Sequence, residues 1–490
     1  MNKFSIPKCM STQHPDNVSA PFFTPTSVLG GQDEITEAYY VFSHLLCDEQ
    51  MWDYEGKEVD NHVVKKLFTK YEAFFKKNKI GEKVFITLRV PNPEVEKTEA
   101  KMLLETLESI PRSFDIAKLF YDKDSAPIFE VILPMTSSAK NMDRIFQYYK
   151  NFVAGKQDQP CFENDISIAE WIGTINPSSI NVIPLFEDRE NTLKAHNIVE
   201  EYLENKDLDY QRVFFARSDP AMNYGMISAL LLNKLALQNI AKTSEKIGVP
   251  FYPILGVGSS PLRGNLTPLN VEDILKEYPS VHTFSLQSAF KFDYSVSQVR
   301  DGVKKILASE TSAPHELDTE KSLDIMNRVQ ASFQKQVQSL AIPINAVAKF
   351  VPKRRRRKLH VGLFGYSRDV GTVSLPRAIT FTASLYSLGV PPELLGLDAL
   401  TKDDIAYLRK IYIGYEKDLS MALKFYNPDS PYVPQSIKDA IKNLGVDYET
   451  DKFHKESTDQ IIKFLNSSTG EQSMLSDYIL KAAHGRRFLG

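Results

Sequence analysis

Cysteine is scarce in this chain. Three thiols, Cys9, Cys47 and Cys161, are spread over 490 residues, too few and too scattered for a disulfide framework or a zinc site. Net charge is nearly absent too. Lysine and arginine number 59 against 62 aspartates and glutamates, a balance of −3, so no overall field recruits nucleic acid. No apolar run approaches the ~18 residues that cross a bilayer, and no apolar signal segment opens the chain. Internal repeats and low-complexity tracts are missing. These absences predict a cytoplasmic globular protein without membrane or nucleic-acid partners, long enough to bury an ample core.

What is present is alternation. Apolar runs at 84–88, 128–133, 182–186, 213–216, 251–255, 283–286 and 359–364 read as strands, mostly without polar interleaving, as in parallel strands covered on both faces. Helical patterns lie between them at 94–109, 139–153, 192–204, 223–247 and 271–276. This predicts an α/β fold, a (β/α)8 TIM-like barrel with extensive additional helices at both ends. Seven strands are legible; the eighth falls to some short stretch that reads as loop. The chain is expected to form one catalytic unit over 1–490. Residues 1–80 would supply an N-terminal catalytic loop and helices, the latter over 33–78. Residues 81–377 would form the barrel core, with a helical insertion near 315–350 before the last strand. Residues 378–490 would form a C-terminal helical region, with helices at 378–388, 403–425, 435–443 and 457–465.

In such a barrel, chemistry sits at the carboxyl ends of the strands. Arg89 follows the first predicted strand, Glu187 and Asp188 the third, Arg217 and Asp219 the fourth. Gly256, Gly258, Ser259, Ser260 and Arg263 follow the fifth, and Arg368 and Asp369 the last. Carboxylates suit a hard divalent cation, and the planar fork of arginine suits phosphate and carboxylate. The convergence predicts a metal-assisted site for a small, highly anionic substrate. Any one of these residues could be an ordinary exposed loop charge; the prediction rests on several falling together.

The stretch Met10-Ser11-Thr12-Gln13-His14-Pro15-Asp16-Asn17 sets one histidine among short polar residues. Pro15 pushes His14 toward an extended conformation, so the imidazole is offered from a stiff loop. This octapeptide resembles the N-terminal signature of the archaeal-type phosphoenolpyruvate carboxylases, and the resemblance extends over most of the chain. Val182-Ile183-Pro184-Leu185-Phe186-Glu187 and Arg217-Ser218-Asp219-Pro220 are similar to the two segments that supply metal ligands there. Carried over, Glu187 and Asp219 hold Mg2+ or Mn2+. Leu255-Gly256-Val257-Gly258-Ser259-Ser260-Pro261-Leu262-Arg263-Gly264 resembles the family's glycine- and arginine-rich loop, Arg263 matching its second arginine. Ser374-Leu375-Pro376-Arg377-Ala378-Ile379 resembles a segment that places Arg377 on phosphate. Arg368 is the nearest match to a further phosphate-binding arginine, and Arg89 a looser one. The larger bacterial-type enzymes have His-Gly-Arg-Gly-Gly in the glycine loop and a lysine at the position of Met222. Their absence here points to the shorter archaeal-type branch, with Arg217 as a substitute positive charge for bicarbonate.

The resemblance implies irreversible carboxylation of phosphoenolpyruvate with bicarbonate, through carboxyphosphate and an enolate, to oxaloacetate and phosphate. That reaction replenishes the C4 acids of the tricarboxylic acid cycle. His14 would act on carboxyphosphate, as proton acceptor or electrostatic partner. Arg263, Arg368 and Arg377 would offset charge on the transferring phosphoryl group. Arg89, Arg217, Gly256 and Gly258 would contact substrate, and the glycines around Arg263 would let that loop close over the enolate. The tail over 484–490 resembles a family tail that packs near the site. It admits aspartate as a feedback inhibitor; acetyl-CoA activation is not expected. The implied assembly is a homotetramer.

Other features have plainer readings. The basic run over 353–358 predicts a solvated loop or an oligomer contact. Trp52 is read as a core or interface aromatic, Glu58 and Asp60 as a surface turn, and His44, His62, His196, His282, His315, His360 and His454 carry no ligand spacing. Two rival functions remain. One is an aldolase-type or phosphotransfer barrel acting on an enolpyruvate or keto acid without bicarbonate. The other is an RNA- or membrane-surface-binding protein using the basic run, which would need further basic and aromatic side chains nearby.

Overall fold

Eight short parallel strands close on themselves in this computed structural model: β1 Cys9–Ser11, β2 Glu49–Asp53, β3 Phe85–Arg89, β4 Glu130–Leu133, β5 Asn181–Phe186, β6 Gln211–Ala216, β7 Phe251–Gly256 and β8 Thr283–Leu286. The structure describes residues 5–55, 60–356, 368–370, 373–444, 446, 448–467 and 474–490, with backbone alone at 99, 368–370 and 373. Strand neighbours follow chain order, and β1 seals the barrel against β8 with Met10 opposite Ser285. The chain therefore adopts the (β/α)8 barrel that its alternation predicts.

Six of the seven predicted strands are in the barrel; the seventh, 359–364, lies outside the described residues. The two strands that the pattern did not offer are β1 and β2. The barrel strands thus begin at Cys9 rather than near 81, and end at Leu286 rather than near 377. The reasons are physical. β1 has only three residues, and β2 opens on Glu49 and closes on Asp53, charges that a strand buried on both faces seldom carries. Each charge is paired inside the barrel, Glu49 with Arg212 and Asp53 with Arg89. The helix Thr319–Ala348 also follows all eight strands instead of preceding the last.

Two predicted helices are each divided in two. The one expected over 223–247 breaks at Gly225, giving Ser218–Tyr224 and Met226–Ile247. Gly225 has φ 87°, and a Cβ there would meet Phe333 Cδ2 at 3.1 Å, so both backbone and packing demand glycine. The stretch 403–425 likewise forms Lys402–Ile411 and Tyr415–Lys424.

One apolar core lies between the strands and the outer helices and includes Trp52, Leu88, Val131, Phe186 and Phe284. A second joins Met226, Ile325, Phe333, Phe381 and Leu489, and draws in Val18 and Leu262 from the loops after β1 and β7. The C-terminal helices are therefore packed onto the carboxyl ends of the strands, the end that carries chemistry in this fold.

Candidate active site

The His14 loop leaves β1 and is fixed at almost every peptide. His14 is half-buried, its Nδ1 2.9 Å from Thr12 Oγ1. The Asp16 carboxylate accepts the N–H groups of Ala289 at 2.6 Å and Ser259 at 3.4 Å. Asp293 accepts those of Val18 at 2.7 Å and Ser19 at 2.6 Å. Arg354 donates to the carbonyls of Asn17 at 3.2 Å and Val18 at 2.7 Å. Beneath the loop, Lys291 reaches Thr12 O at 2.8 Å and Glu37 at 2.9 Å, and Arg355 binds Glu34 and Glu37 at 2.8 and 2.7 Å. Burial alone would raise Glu37, but Arg355 and Lys291 hold it down to about 2. The basic run is therefore not a solvated loop at Arg354 and Arg355. Both are buried and spent on the His14 loop and its support, so the nucleic-acid reading loses two of its six carriers.

Arg263 ties four other segments together. It is 1% exposed. Its Nε donates to Ser218 Oγ at 3.1 Å, Nη1 to Asp16 at 3.3 Å and to Gly490 O at 2.6 Å, and Nη2 to Gln287 Oε1. The predicted tail contact is thus made, and Leu489 N–H adds a bond to Asp16 O at 2.7 Å. Burial raises the Asp16 carboxyl, opposed by Arg263. Gly258 is explained by the same side chain, because a Cβ there would lie 2.9 Å from Arg263 Cζ. The loop is no lid. Residues 257–268 are buried throughout, closed by Gly258 N–H to Arg263 O at 2.7 Å and Leu266 N–H to Gly258 O at 3.0 Å. The glycines relieve crowding here.

Glu187 and Asp219 follow adjacent paired strands, β5 and β6, with Phe186 opposite Phe215. Glu187 is buried and accepts Met135 N–H at 2.9 Å. Met135 holds φ 50°, a strained choice for a non-glycine residue, found where geometry is functionally constrained. Asn92 clamps that turn by donating to Pro134 O and Met135 O. Asp219 stands in the first turn of the helix Ser218–Tyr224. No group of three or more histidine, cysteine or acidic ligands occurs among the described residues. Two carboxylates are a donor set that fits a hard cation keeping water or substrate oxygens, not a closed zinc site. Arg377 immediately precedes the helix Ala378–Ser387, which packs on Ser218–Tyr224 and on Gly490.

Other predicted site residues are placed differently. Arg89 ends β3 with its fork bidentate on Asp53, both bonds 2.8 Å, and with Glu55 at 3.1 Å. Arg217 donates to Met226 O at 3.1 Å and lines a cleft with Tyr278, Tyr412, Glu277, Asp418 and Lys417, where carboxylates share its surroundings. Gly256 faces the barrel interior closely, where a Cβ would meet Phe214 Cε2 at 3.0 Å. Arg368 opens a hairpin with Val373–Leu375; its side chain lies outside the described residues, as does Glu58. Asp188 caps the helix Arg189–Leu203. Asp16, Ser218 and Gln287 carry no site role in the sequence pattern, and Arg354 reads there only as part of a solvated or oligomer-contact run. Gln287 was discoverable, since it directly follows a predicted strand.

Asp293 gives the site a pH dependence. Burial pushes its carboxyl up to about 7, against the pull of the Val18 and Ser19 N–H groups; Asp16 pushes the same way, and Arg354 faces it. The ionised group accepts both N–H bonds, and protonation surrenders one. Activity is therefore expected to fall as pH drops below about 7. Asp293→Asn should be less active and lack that part of the acid limb. The stability term has the opposite sign. The folded value lies above the ordinary one, so folding takes up a proton between about 4 and 7, and this contribution declines as pH rises through that window. Coincident pH profiles of kcat/KM for wild type and variant would refute the assignment.

Comparison with known proteins bears on the whole chain. The profile of a protein family described as phosphoenolpyruvate carboxylase matches residues 6–490. A phosphoenolpyruvate carboxylase of Methanothermobacter thermautotrophicus is 54% identical over 485 residues, covering 99% of this chain and all of that protein. One from Pyrococcus furiosus is 52% identical, covering 86% and 89%. One from Halobacterium salinarum is 47% identical, covering 99% of each. The family match spans the His14 loop, both carboxylates, the Arg263 loop and the tail, and the chain belongs to the phosphoenolpyruvate carboxylase family of carboxy-lyases.

Proposed function

We propose that this chain joins bicarbonate to phosphoenolpyruvate, forming oxaloacetate and phosphate. Alongside family membership, one observation carries the reading. A single arginine, Arg263, ties the His14 loop, the residue beside Asp219 and the residue after β8 into one mouth. Bicarbonate oxygen attacks phosphorus and the enol oxygen leaves, giving carboxyphosphate and pyruvate enolate. Arg263 and Arg377, with Arg368, supply preorganised positive charge where the phosphoryl group transfers. Thr12 Oγ1 donates to Leu286 O at 3.3 Å, so toward His14 it accepts. That puts the imidazole proton on Nδ1 and the basic lone pair on Nε2. Nε2 then takes the carboxyl proton of carboxyphosphate, which breaks down to CO2 and phosphate, and returns that proton to phosphate. The enolate carbon captures CO2. Glu187 and Asp219 would hold Mg2+ or Mn2+, whose chemistry is Lewis-acid polarisation of phosphate and enolate oxygens.

Further parts of this reading concern context. Among the described residues no helix is long and apolar enough to cross a membrane, and we place the enzyme in the cytoplasm, supplying C4 acids. We assign it a homotetramer; the exposed Phe152, Phe162, Ile166, Trp171 and Ile172 supply an apolar face that assembly would cover. Aspartate, a dicarboxylate, is the inhibitor we assign to the neighbourhood of Arg263 and the tail. Oxaloacetate formation from phosphoenolpyruvate and Mg2+ is expected to require bicarbonate. In His14→Asn it is expected to fall while pyruvate release persists. Oxaloacetate-free turnover by the wild type in saturating bicarbonate would favour the aldolase-type or phosphotransfer alternative.

A further inference from the structure

We propose that Glu393 is a positioning residue that fixes the Arg263 loop from behind. Its side chain is fully buried. One oxygen, Oε1, accepts both Leu262 N–H at 2.7 Å and Tyr386 Oη–H at 2.8 Å. Leu262 is the middle residue of the turn Pro261–Arg263. The turn's own bonds use Arg263 N–H on Ser260 O and Gly264 N–H on Pro261 O, which leaves Leu262 N–H for an outside acceptor. Glu393 provides it one residue before the guanidinium.

The second bond leads to the tail. The Tyr386 ring lies 4.8 Å from the Arg486 guanidinium and 5.4 Å from the Phe488 ring. Arg486 donates to Leu489 O at 3.2 Å, and Gly490 O accepts from Arg263 itself. Arg263 is thus held at both ends, its backbone through Glu393 and its side chain through the tail, with Tyr386 joining the two supports. No lysine or arginine hydrogen-bonds to Glu393 among the described residues, and its Oε2 has no hydrogen-bond partner there. A buried carboxylate with no cation hydrogen-bonded to it is costly to the fold; Arg486 attracts it only through space, and burial still pushes the group up to about 7. A cost retained beside the site marks a demand for that acceptor.

The proposal rests on Arg263 facing the transferring phosphoryl group, so the test measures that first. Arg263→Ala alone should lose most of kcat. Glu393→Met fills the same space, removes the buried charge and deletes the acceptor. It strands two buried donors, which offsets the charge removed, so Tm should change modestly, while kcat well below the melting range falls about ten- to a hundredfold, the scale of a small misplacement of a reacting group. Combined with Arg263→Ala it should cost no more than twofold further, because a support has no effect once its load is gone. Tyr386→Phe, which keeps every carbon contact, should lose part of the same kcat and be equally silent in the Arg263→Ala background. Glu393→Gln retains the acceptor and should restore most of the activity. Wild-type kcat in Glu393→Met, or a full additive loss in the double variant, would overturn the proposal. Full activity of Arg263→Ala would remove the reading beneath it and overturn it as well.

Discussion

Arg263→Ala is expected to lower kcat/KM for phosphoenolpyruvate about 10³-fold, the scale seen when a preorganised donor to developing charge is deleted. A guanidinium carries five N–H groups. Four are committed here, to Ser218, Asp16, Gly490 and Gln287, leaving one Nη2 hydrogen and the positive charge for substrate. Removing the side chain therefore strikes twice. The phosphoryl group loses a charge, and the loops after β1, β6, β7 and β8 lose the group that registers them. Asp16, already raised by burial and drawn back by Arg263, would be left as a buried carboxylate without its cation, at a cost of about 3–5 kcal/mol. Arg263→Lys should do little better, because three donors on a point charge cannot reproduce a planar four-way fork. Gly258→Ala offers an independent check, since its methyl would displace Arg263 Cζ without removing the charge. Steady-state kinetics and thermal melting of the three variants separate the contributions. An Arg263→Ala enzyme within tenfold of wild type would reduce Arg263 to a structural role.

How much of this was readable beforehand depends on local pattern. Six strands were legible because they are apolar runs without alternation, and Glu187, Asp219 and Arg263 because they follow such runs. β2 was hidden because Glu49 and Asp53 look like exposed charges until Arg212 and Arg89, distant in sequence, are placed opposite them. Arg354 and Arg355 were hidden for the matching reason. A run of basic residues reads as solvated, yet its partners are carbonyls of Asn17 and Val18 and the acids Glu34 and Glu37, more than 300 residues away in sequence. Arg217, two residues before Asp219, is engaged by Met226 O and by a cleft shared with Glu277, Asp418 and Lys417, neighbours that no local pattern announces. Sequence position gives the rim of the barrel. Long-range ion pairing decides which rim charges face substrate and which hold the loops.

The same buried pairing gives Arg212→Met a large expected effect on stability, a loss of about 3–5 kcal/mol. Arg212 lies inside the barrel and is fully buried, donating to Glu49 on β2 through two bonds of 2.7 Å and to Glu130 on β4 at 2.9 Å. Thr283 on β8 completes the layer at 3.3 Å. Four side chains from alternate strands fill one layer, as this fold requires, but here the filling is ionic. Burial alone would lower Arg212; Glu49 and Glu130 hold it well above its ordinary value. Glu130 is raised, by burial first, with Arg212 opposing and Glu49 adding to the rise. Deleting the arginine leaves two facing carboxylates in a dry interior. The layer sits at the amino end of the strands, away from His14 and Arg263, so kcat below the melting range should change little while Tm drops. Replacing all three charges with Arg212→Met, Glu49→Leu and Glu130→Leu should recover most of the loss, because an apolar layer carries no desolvation cost. A triple variant as unstable as the single one would mean that the ion pairs, and not merely their balance, hold β2, β4 and β6 in register.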